Sequence, residues 1–458
     1  MSTVVIVDTG VANLASVQAA FDRLGVPTAL SRDPGRIRAA SRLVLPGVGS
    51  FGAGMHALQA SGADTAVRAA IDAGTPTLAI CLGMQLLARG SEESPGVGGL
   101  GVIDGLVGRL PDSVRLPHLG WNRVVPEAGC RRLGEMDAAF ANSYALRDVP
   151  AGWRAAWTTH GVRFVSGVAR GRIVACQFHP ELSGSAGQEL IAAWLDDRTP
   201  AAARPGRPGL GIRLVPCLDV ENGRVVKGVR FTGLRDVGDP AALAAAYEAQ
   251  GADEIVMLDI AATPSGRRAN LDAVRQVRRA LAIPLTVGGG VNRVADATQL
   301  LQAGADKVAV NSGAVRRPAL LTELAVAFGR QCVVLAVDAR CDGTRWEVVV
   351  SGGRERTGRD AVEWMQAGER LGAGEILLTS WDRDGTGTGP DLPLLEAVRA
   401  AVGVPVIASG GIGSMADAAC AVRAGADAVL TASLLHDGVS TVGALKRALD
   451  DEGIPVRR

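Results

Sequence analysis

Aromatic residues are scarce in this chain: two tyrosines, seven phenylalanines and seven tryptophans, 3% of 458 residues. Its cores must therefore be mainly aliphatic, and basic surfaces studded with rings for stacking on bases have little to be made from. An excess of one charge is missing too. Lys and Arg number 48 against 47 Asp and Glu, a formal net charge of +1, so no nucleic-acid partner is expected. No apolar run approaches the roughly 20 residues that span a bilayer, so no membrane partner is expected either. The chain enters an apolar run, Val4-Val5-Ile6-Val7, without a signal peptide. Seven cysteines, an odd number, are spread mostly through apolar segments. That fits reduced thiols and a cytoplasmic location better than a disulfide framework. Only five histidines are present, which narrows the choice of any catalytic base.

One stretch breaks the composition. Thr199 to Gly209 has no apolar periodicity and carries prolines at 200, 205 and 208, which reads as a semi-rigid linker. It divides the chain into residues 1–198, a linker at 199–210, and residues 211–458. In the first part an apolar run, Leu78-Ala79-Ile80, ends at Cys81, and Gly83 and helix-forming residues follow. This is the pattern of a nucleophile elbow, a sharp strand-to-helix turn that lifts one side chain above a sheet edge. About a hundred residues on, the run Ile173–Cys176 leads to Gln177-Phe178-His179-Pro180-Glu181. Cys81, His179 and Glu181 make a nucleophile, a base and a carboxylate to orient it. A lone cysteine is more often a small core residue, but of the five histidines only His179 follows an apolar strand and has a carboxylate two residues on. His56, His118, His160 and His436 lack that setting.

After the linker, eight apolar strand candidates begin near Leu214, Ile255, Leu285, Lys307, Val333, Ile376, Val406 and Ala428, nearly all followed by a helical pattern. Eight such units predict a (β/α)8 barrel. The sequence repeats within it. Leu285 to Ser312 aligns without gaps onto Val406 to Ser433, an offset of 121 residues, and Val215–Asp219 echoes Val334–Asp338. The barrel is expected to be two similar halves. Gly288-Gly289-Gly290 and Ser409-Gly410-Gly411 end equivalent strands, with Asn311 and Ser433 at the ends of the strands that follow. Glycines there let backbone N–H groups close on an anion. Such glycines can also merely permit tight turns; their repetition at matching strand ends favours two phosphate sites, suited to a substrate with a phosphate at each end. Asp219 and Asp338 lie between them as the last residues of their strands. Each could cap a helix, or the pair could divide acid and base roles.

These residues resemble the imidazole glycerol phosphate synthase family, its glutamine amidotransferase and cyclase subunits joined in one chain. The likeness over residues 3–197 is carried by Asp8–Leu14, Leu45-Pro46-Gly47-Val48-Gly49, Cys81–Gln85, Ser91–Ser94, Pro117–Asn122 and Gln177–Glu181. Over 211–458 it is carried by Val215–Val220, Gly223–Gly228, Leu234–Asp236, Gly238–Pro240, Gly372–Ser380 and Asp382–Thr386. The resemblance implies an α/β protein: an N-terminal class I glutamine amidotransferase domain with a flavodoxin-like open sheet, fused to a C-terminal (β/α)8 TIM barrel. It implies that Cys81 attacks the side-chain amide of glutamine with His179 as base and Glu181 orienting it. Backbone N–H groups of Gly47, Val48 and Gly49 would form the oxyanion hole, and Gln85 would help to hold glutamine. The ammonia released would add to phosphoribulosyl formimino aminoimidazole carboxamide ribotide, giving imidazole glycerol phosphate and aminoimidazole carboxamide ribotide. Asp219 and Asp338 would be acid and base. Lys227, Gly289, Gly290, Asn311, Thr379, Asp384, Gly385, Ser409, Gly410, Gly411, Ala432 and Ser433 would contact that substrate and its phosphates. No metal or organic cofactor is implied; the partners are these small molecules and the glutaminase–barrel interface within the chain.

Ammonia needs a passage, and a barrel of this kind is normally packed. Arg213, Glu254, Lys307 and Glu375 stand at the starts of strands one, two, four and six, where charges are rare unless paired. The resemblance makes them a gate for ammonia; a structural ring of ion pairs is the alternative. Five positions depart from the family's usual residues: Asn142 for His, Leu182 for Lys or Arg, Arg230 for Asn, Ala261 for Thr and Gly387 for Lys. None is a catalytic group. The sister isomerase of the same pathway shares the two-fold barrel but needs no ammonia, so the fused glutaminase argues against it.

Overall fold

The computed structural model describes residues 3–10, 13–202, 209–229, 232–261 and 269–457. Val11 and Ala12 of the first motif, residues 203–208 of the linker, and Arg230 lie outside them. The chain divides into two compact units, Met1–Leu210 and Gly211–Arg458.

The first unit is built on a mixed sheet. Its parallel part runs in the order Thr28–Ser31, Val4–Val7, Leu43–Leu45, Thr77–Ile80, Ile173–Cys176. An antiparallel extension continues through Val162–Arg170, Arg154–His160, His118–Pro126 and Met136–Asn142. The inner parallel strands are short and almost wholly apolar because both their faces are covered, whereas the edge strand Thr28–Ser31 is partly exposed. Val4, Ile6, Leu78, Ile80, Val174 and Cys176 pack with Val17, Ala20 and Phe21 of helix Leu14–Arg23 and with Leu190, Ile191 and Trp194 of helix Gly184–Leu195. The alternate residues Val7, Leu43, Leu45, Ala79 and Ala175 pack with Phe51, Met55 and Leu58 of helix Phe51–Ser61 and with Ala66, Val67 and Ala70 of helix Ala63–Asp72. The period of two along each strand sends successive side chains to opposite layers.

The second unit is a closed eight-stranded parallel barrel. Strands one to eight are Arg213–Glu221, Ile255–Asp259, Leu285–Gly288, Lys307–Val310, Val333–Cys341, Glu375–Ser380, Val406–Ser409 and Ala428–Thr431. Pairing of strand one with strand eight, Arg213 with Ala428 through Pro216 with Thr431, closes it. The interior is filled by Val215, Cys217, Val256, Ala309, Val334, Leu377, Ile407, Ala428 and Leu430. The two-fold repeat is physical as well as textual. In one half Gly304 packs on Arg278, whose guanidinium meets Asp306 while that carboxylate caps Leu285 N–H. In the other, Gly425, Arg399, Asp427 and Val406 repeat each contact. A Cβ on either glycine would lie 2.5 or 2.4 Å from the arginine's Cγ, which explains the repeated Ala-Gly-Ala-Asp. Strands one and five each also lead into an antiparallel hairpin, Arg224–Val229 with Thr232–Gly238 and Trp346–Val350 with Glu355–Asp360.

Candidate active sites

In the first unit, strand Thr77–Ile80 ends at Cys81, which holds φ +52° and ψ −109° and starts helix Leu82–Leu86. A non-glycine residue there is strained by about 1–3 kcal/mol and is held by its surroundings. Cys81 N–H donates to the Cys176 carbonyl at 2.7 Å. The turn needs glycine at position 83, because a Cβ would lie 1.9 Å from the Leu45 carbonyl oxygen. His179 Nδ1 lies 2.8 Å from Glu181 Oε1, with both residues buried. Ser183 Oγ donates to the His179 carbonyl at 2.6 Å, and His179 N–H to the Ala139 carbonyl at 2.9 Å. Burial alone would lower the His179 pKa. Its two close partners, the Cys81 sulfur and the Glu181 carboxylate, outweigh it and hold the imidazole well above its ordinary value. A cysteine sulfur, a protonatable imidazole and an orienting carboxylate are thus gathered at one elbow, an arrangement able to cleave an amide.

The other histidines are differently employed. His118 and His160 stack on each other at 4.2 Å. His436 bridges the Tyr247 hydroxyl at 2.6 Å and the Cys217 carbonyl at 3.0 Å. His56 is exposed. The Pro46–Gly49 turn abuts the elbow, where the Gly47 carbonyl accepts from Leu82 N–H at 3.3 Å. In a planar trans peptide this turns Val48 N–H the other way. Gln85 Nε2 donates to the Tyr144 carbonyl at 3.0 Å and to Gln177 Oε1 at 3.1 Å. Asn142 faces His118 across the strand pair and donates to the Tyr144 carbonyl; Leu182 is buried.

At the C-terminal ends of the barrel strands lies a cavity of about 650 Å³. Asp219, Lys227, Gly289, Gly290, Asn311, Asp338, Thr379, Asp384, Gly385, Ser409, Gly410, Gly411, Ala432 and Ser433 all line it. Gly289 at φ +110° and Gly411 at φ +83° could not be replaced in place: a Cβ would lie 2.4 Å from the Asp259 carbonyl and 2.1 Å from the Gly389 carbonyl. Burial raises the Asp219 carboxyl; Lys227 opposes this and Asp384 adds to it. Asp338 is pushed up to about 7, first by burial, then by Asp384, against the Asn311 hydrogen bond. Two carboxyls, both raised by burial but facing different neighbours, therefore share one cavity. Ala261 and Gly387 line it as well. Sequence reasoning missed Asp259, Glu221 and Arg354, which also line it. Asp259 could have been found as the polar end of strand two; Arg354 lies on the unforeseen second hairpin.

The four charges at the strand starts do form one buried ring. Arg213 meets Glu254 at 2.9 Å and also Glu375; Lys307 meets Glu254 at 2.7 Å and Glu375 at 2.5 Å. Thr286, overlooked in the sequence, adds a hydrogen bond to Glu254 at 2.5 Å. Among the described residues, no group of three or more His, Cys, Asp or Glu could hold a metal ion, and no helix is long and apolar enough to cross a membrane.

Comparison with known proteins places this geometry. The family described as histidine biosynthesis protein matches residues 213–441. The chain belongs to that family. The class-I glutamine amidotransferase family matches residues 5–197. The chain is 57% identical over 260 residues to "Imidazole glycerol phosphate synthase subunit HisF" of Mycobacterium tuberculosis (strain ATCC 25177 / H37Ra), covering 55% of this chain and 97% of the relative. It is 56% identical, with the same coverage, to the protein of that name from Mycobacterium bovis (strain BCG / Pasteur 1173P2). The chain is thus an enzyme of histidine biosynthesis that carries a glutaminase domain and a HisF-like cyclase domain together.

Proposed function

We propose that the two sites run one coupled reaction, that of an imidazole glycerol phosphate synthase with both activities on one chain. What carries this reading is the pairing, in a single chain, of the Cys81–His179–Glu181 elbow with a cavity that has glycine turns at two related strand ends and two half-buried carboxyls between them. Cys81 attacks the side-chain amide carbon of glutamine. The imidazolium of His179 gives its proton to the departing ammonia, and water, deprotonated by His179, hydrolyses the thioester to glutamate. Rotation of the Gly47–Val48 peptide would bring Val48 N–H onto the oxyanion beside Leu82 N–H, so the hole is completed only when substrate is in place. The Oε1 of Gln85, its nitrogen being occupied, is the atom left to meet glutamine.

In the barrel, the turns at Gly289–Gly290 with Asn311 and at Ser409–Gly411 with Ala432 and Ser433 hold the two phosphates of the ribotide. Thr379, Asp384, Gly385 and Lys227 contact the chain between them. Ammonia adds to its ketone carbon, and cleavage with ring closure gives imidazole glycerol phosphate and aminoimidazole carboxamide ribotide. Asp338, pushed up to about 7, enters as proton donor, and Asp219, whose rise Lys227 opposes, as base. The Arg213–Glu254–Lys307–Glu375 ring lies at the opposite end of the strands and gates the entry of ammonia. Near neutral pH free ammonia is mostly ammonium, a poor nucleophile, so a sheltered route has a chemical purpose. The test is a coupled assay for glutamate and imidazole product, with and without the bis-phosphate ribotide. One imidazole product per glutamate is expected. An Amadori rearrangement as the barrel's sole reaction would overturn the proposal.

A further inference from the structure

The Cys81 sulfur has a neighbour to which the triad gives no task. Gln177 follows strand Ile173–Cys176, is fully buried, and has its Nε2 3.7 Å from Cys81 Sγ. Nitrogen and oxygen of an amide look alike, so the orientation has to be argued. It follows from one obligatory acceptor. The Tyr144 carbonyl can only accept a hydrogen bond, so the Gln85 group 3.0 Å away is its NH2. The second hydrogen of that NH2 requires an acceptor, and the group 3.1 Å away is therefore the Gln177 oxygen. This leaves the Gln177 NH2 directed at the sulfur. The chain runs Tyr144 carbonyl, Gln85, Gln177, Cys81, with both glutamines and the cysteine buried from solvent.

We infer that Gln177 is a catalytic residue of the glutaminase: its side-chain N–H donates to the Cys81 sulfur and stabilises it whenever it carries negative charge. Sulfur is a weak acceptor as a thiol and a far better one as a thiolate, since hydrogen bonds to ionised groups are the stronger kind. A cysteine attacks as its thiolate, so the sulfur carries this charge at the moment of attack. It returns when the tetrahedral adduct of thioester and water collapses, as the C–S bond breaks and its electron pair goes back to sulfur. Gln85 acts through Gln177 as a positioning residue. The inference deepens the glutaminase reading and rests on Cys81 as nucleophile.

A residue that only fills space could be exchanged for methionine, which has similar length and no donor. The test follows alkylation of Cys81 by iodoacetamide against pH, read by mass spectrometry of the Cys81 peptide in the full chain, with circular dichroism to establish folding. For Gln177→Met the pH midpoint of alkylation should rise by about one unit or more, the size expected on losing a hydrogen bond to a charged group. The kcat of glutamine hydrolysis should fall with KM little changed. Gln85→Met should move the midpoint the same way by less, because Gln177 loses the contact that fixes its orientation. Should Gln177→Met fail to fold, Gln177→Glu carries the same test: it keeps the shape, replaces the donor by a carboxylate and should raise the midpoint further. A folded variant at position 177 with the parent's midpoint and kcat overturns the inference. Cys81→Ala is the separate control: glutamate production persisting in it overturns the underlying reading of the nucleophile.

Discussion

Asn311 donates its side-chain amide to the Asp338 carboxylate at 3.0 Å across neighbouring barrel strands, and this does not suffice to keep that carboxyl acidic. Burial and the nearby Asp384 push it up to about 7. A raised folded-state value means that the stability from protonated Asp338 is fully present below the unfolded value of about 3.9 and is lost as pH rises to about 7. Asp338→Asn cannot ionise and escapes that loss. Its stability relative to the parent should improve between pH 4 and pH 7 by a few kcal/mol at most, at about 1.4 kcal/mol for each pH unit that separates the folded and unfolded values, and stay level above. Denaturant unfolding of both proteins at pH 4.5 and pH 8 checks this. Equal differences at the two pH values would mean that Asp338 is ionised in the free protein.

The two sites should fail separately. Cys81→Ala is expected to abolish glutamine-driven synthesis and to leave synthesis with high ammonium salt. Asp219→Asn should lose synthesis from both nitrogen sources, because the barrel step itself is removed. If Cys81→Ala also eliminates the ammonium-driven reaction in protein that still binds the ribotide, the division of labour fails.

Much of the barrel was legible because its strands alternate with amphipathic helices and because half the pattern is written twice. The predicted strand starts at Ile255, Leu285, Lys307, Val333, Val406 and Ala428 are those observed, and two others differ by one residue. The two hairpins after strands one and five were not foreseen. Trp346–Val350 reads as a strand, but Glu355–Asp360 is exposed and mostly charged, and only its pairing with Glu347–Val350 gives it structure. The triad was readable since its residues stand in compact motifs. Gln177 stood in the same motif, but its contact with Cys81 depends on two strands meeting side by side, and a relay through Gln85 and a backbone carbonyl leaves no mark in a sequence. Thr286 was hidden for a similar reason: a threonine within an apolar strand looks like ordinary β-branched filling until the carboxylate it serves is in view.

The elbow depends on one glycine. A Cβ at position 83 would lie 1.9 Å from the Leu45 carbonyl oxygen, which is backbone and cannot turn away, whereas one at Gly98 would meet nothing within 4 Å. Gly83→Ala should therefore remove glutaminase activity and destabilise the first unit by at least about 2 kcal/mol, within the range for overpacking and strained sites. Gly98→Ala should stay within about 0.5 kcal/mol of the parent. Thermal unfolding and glutamate release measure both. A Gly83→Ala protein with parental activity would mean that the strand-to-helix turn can move, contrary to its packing here.

The ring of Arg213, Glu254, Lys307 and Glu375 balances two cations against two carboxylates, each carboxylate meeting both cations. Burial works against ionised Glu254, and Lys307 and Arg213 overcome it, so its carboxyl stays below the ordinary range. Its stabilising contribution is present above the unfolded value and is lost as pH falls through the folded one. Lys307→Ala leaves two buried carboxylates to one arginine, an imbalance that could cost about 3–5 kcal/mol. With that support gone, a carboxyl of the ring should take up a proton at higher pH than in the parent, so the variant's deficit should shrink as pH is lowered from 8 to 6. In folded protein, the gate reading then predicts a specific defect. Glutamate release should exceed imidazole product, while synthesis from ammonium salt should suffer less, because only the guided delivery of ammonia depends on the ring. Unchanged one-to-one stoichiometry and normal rates with both nitrogen sources would leave Lys307 as part of a structural ion-pair ring and nothing more.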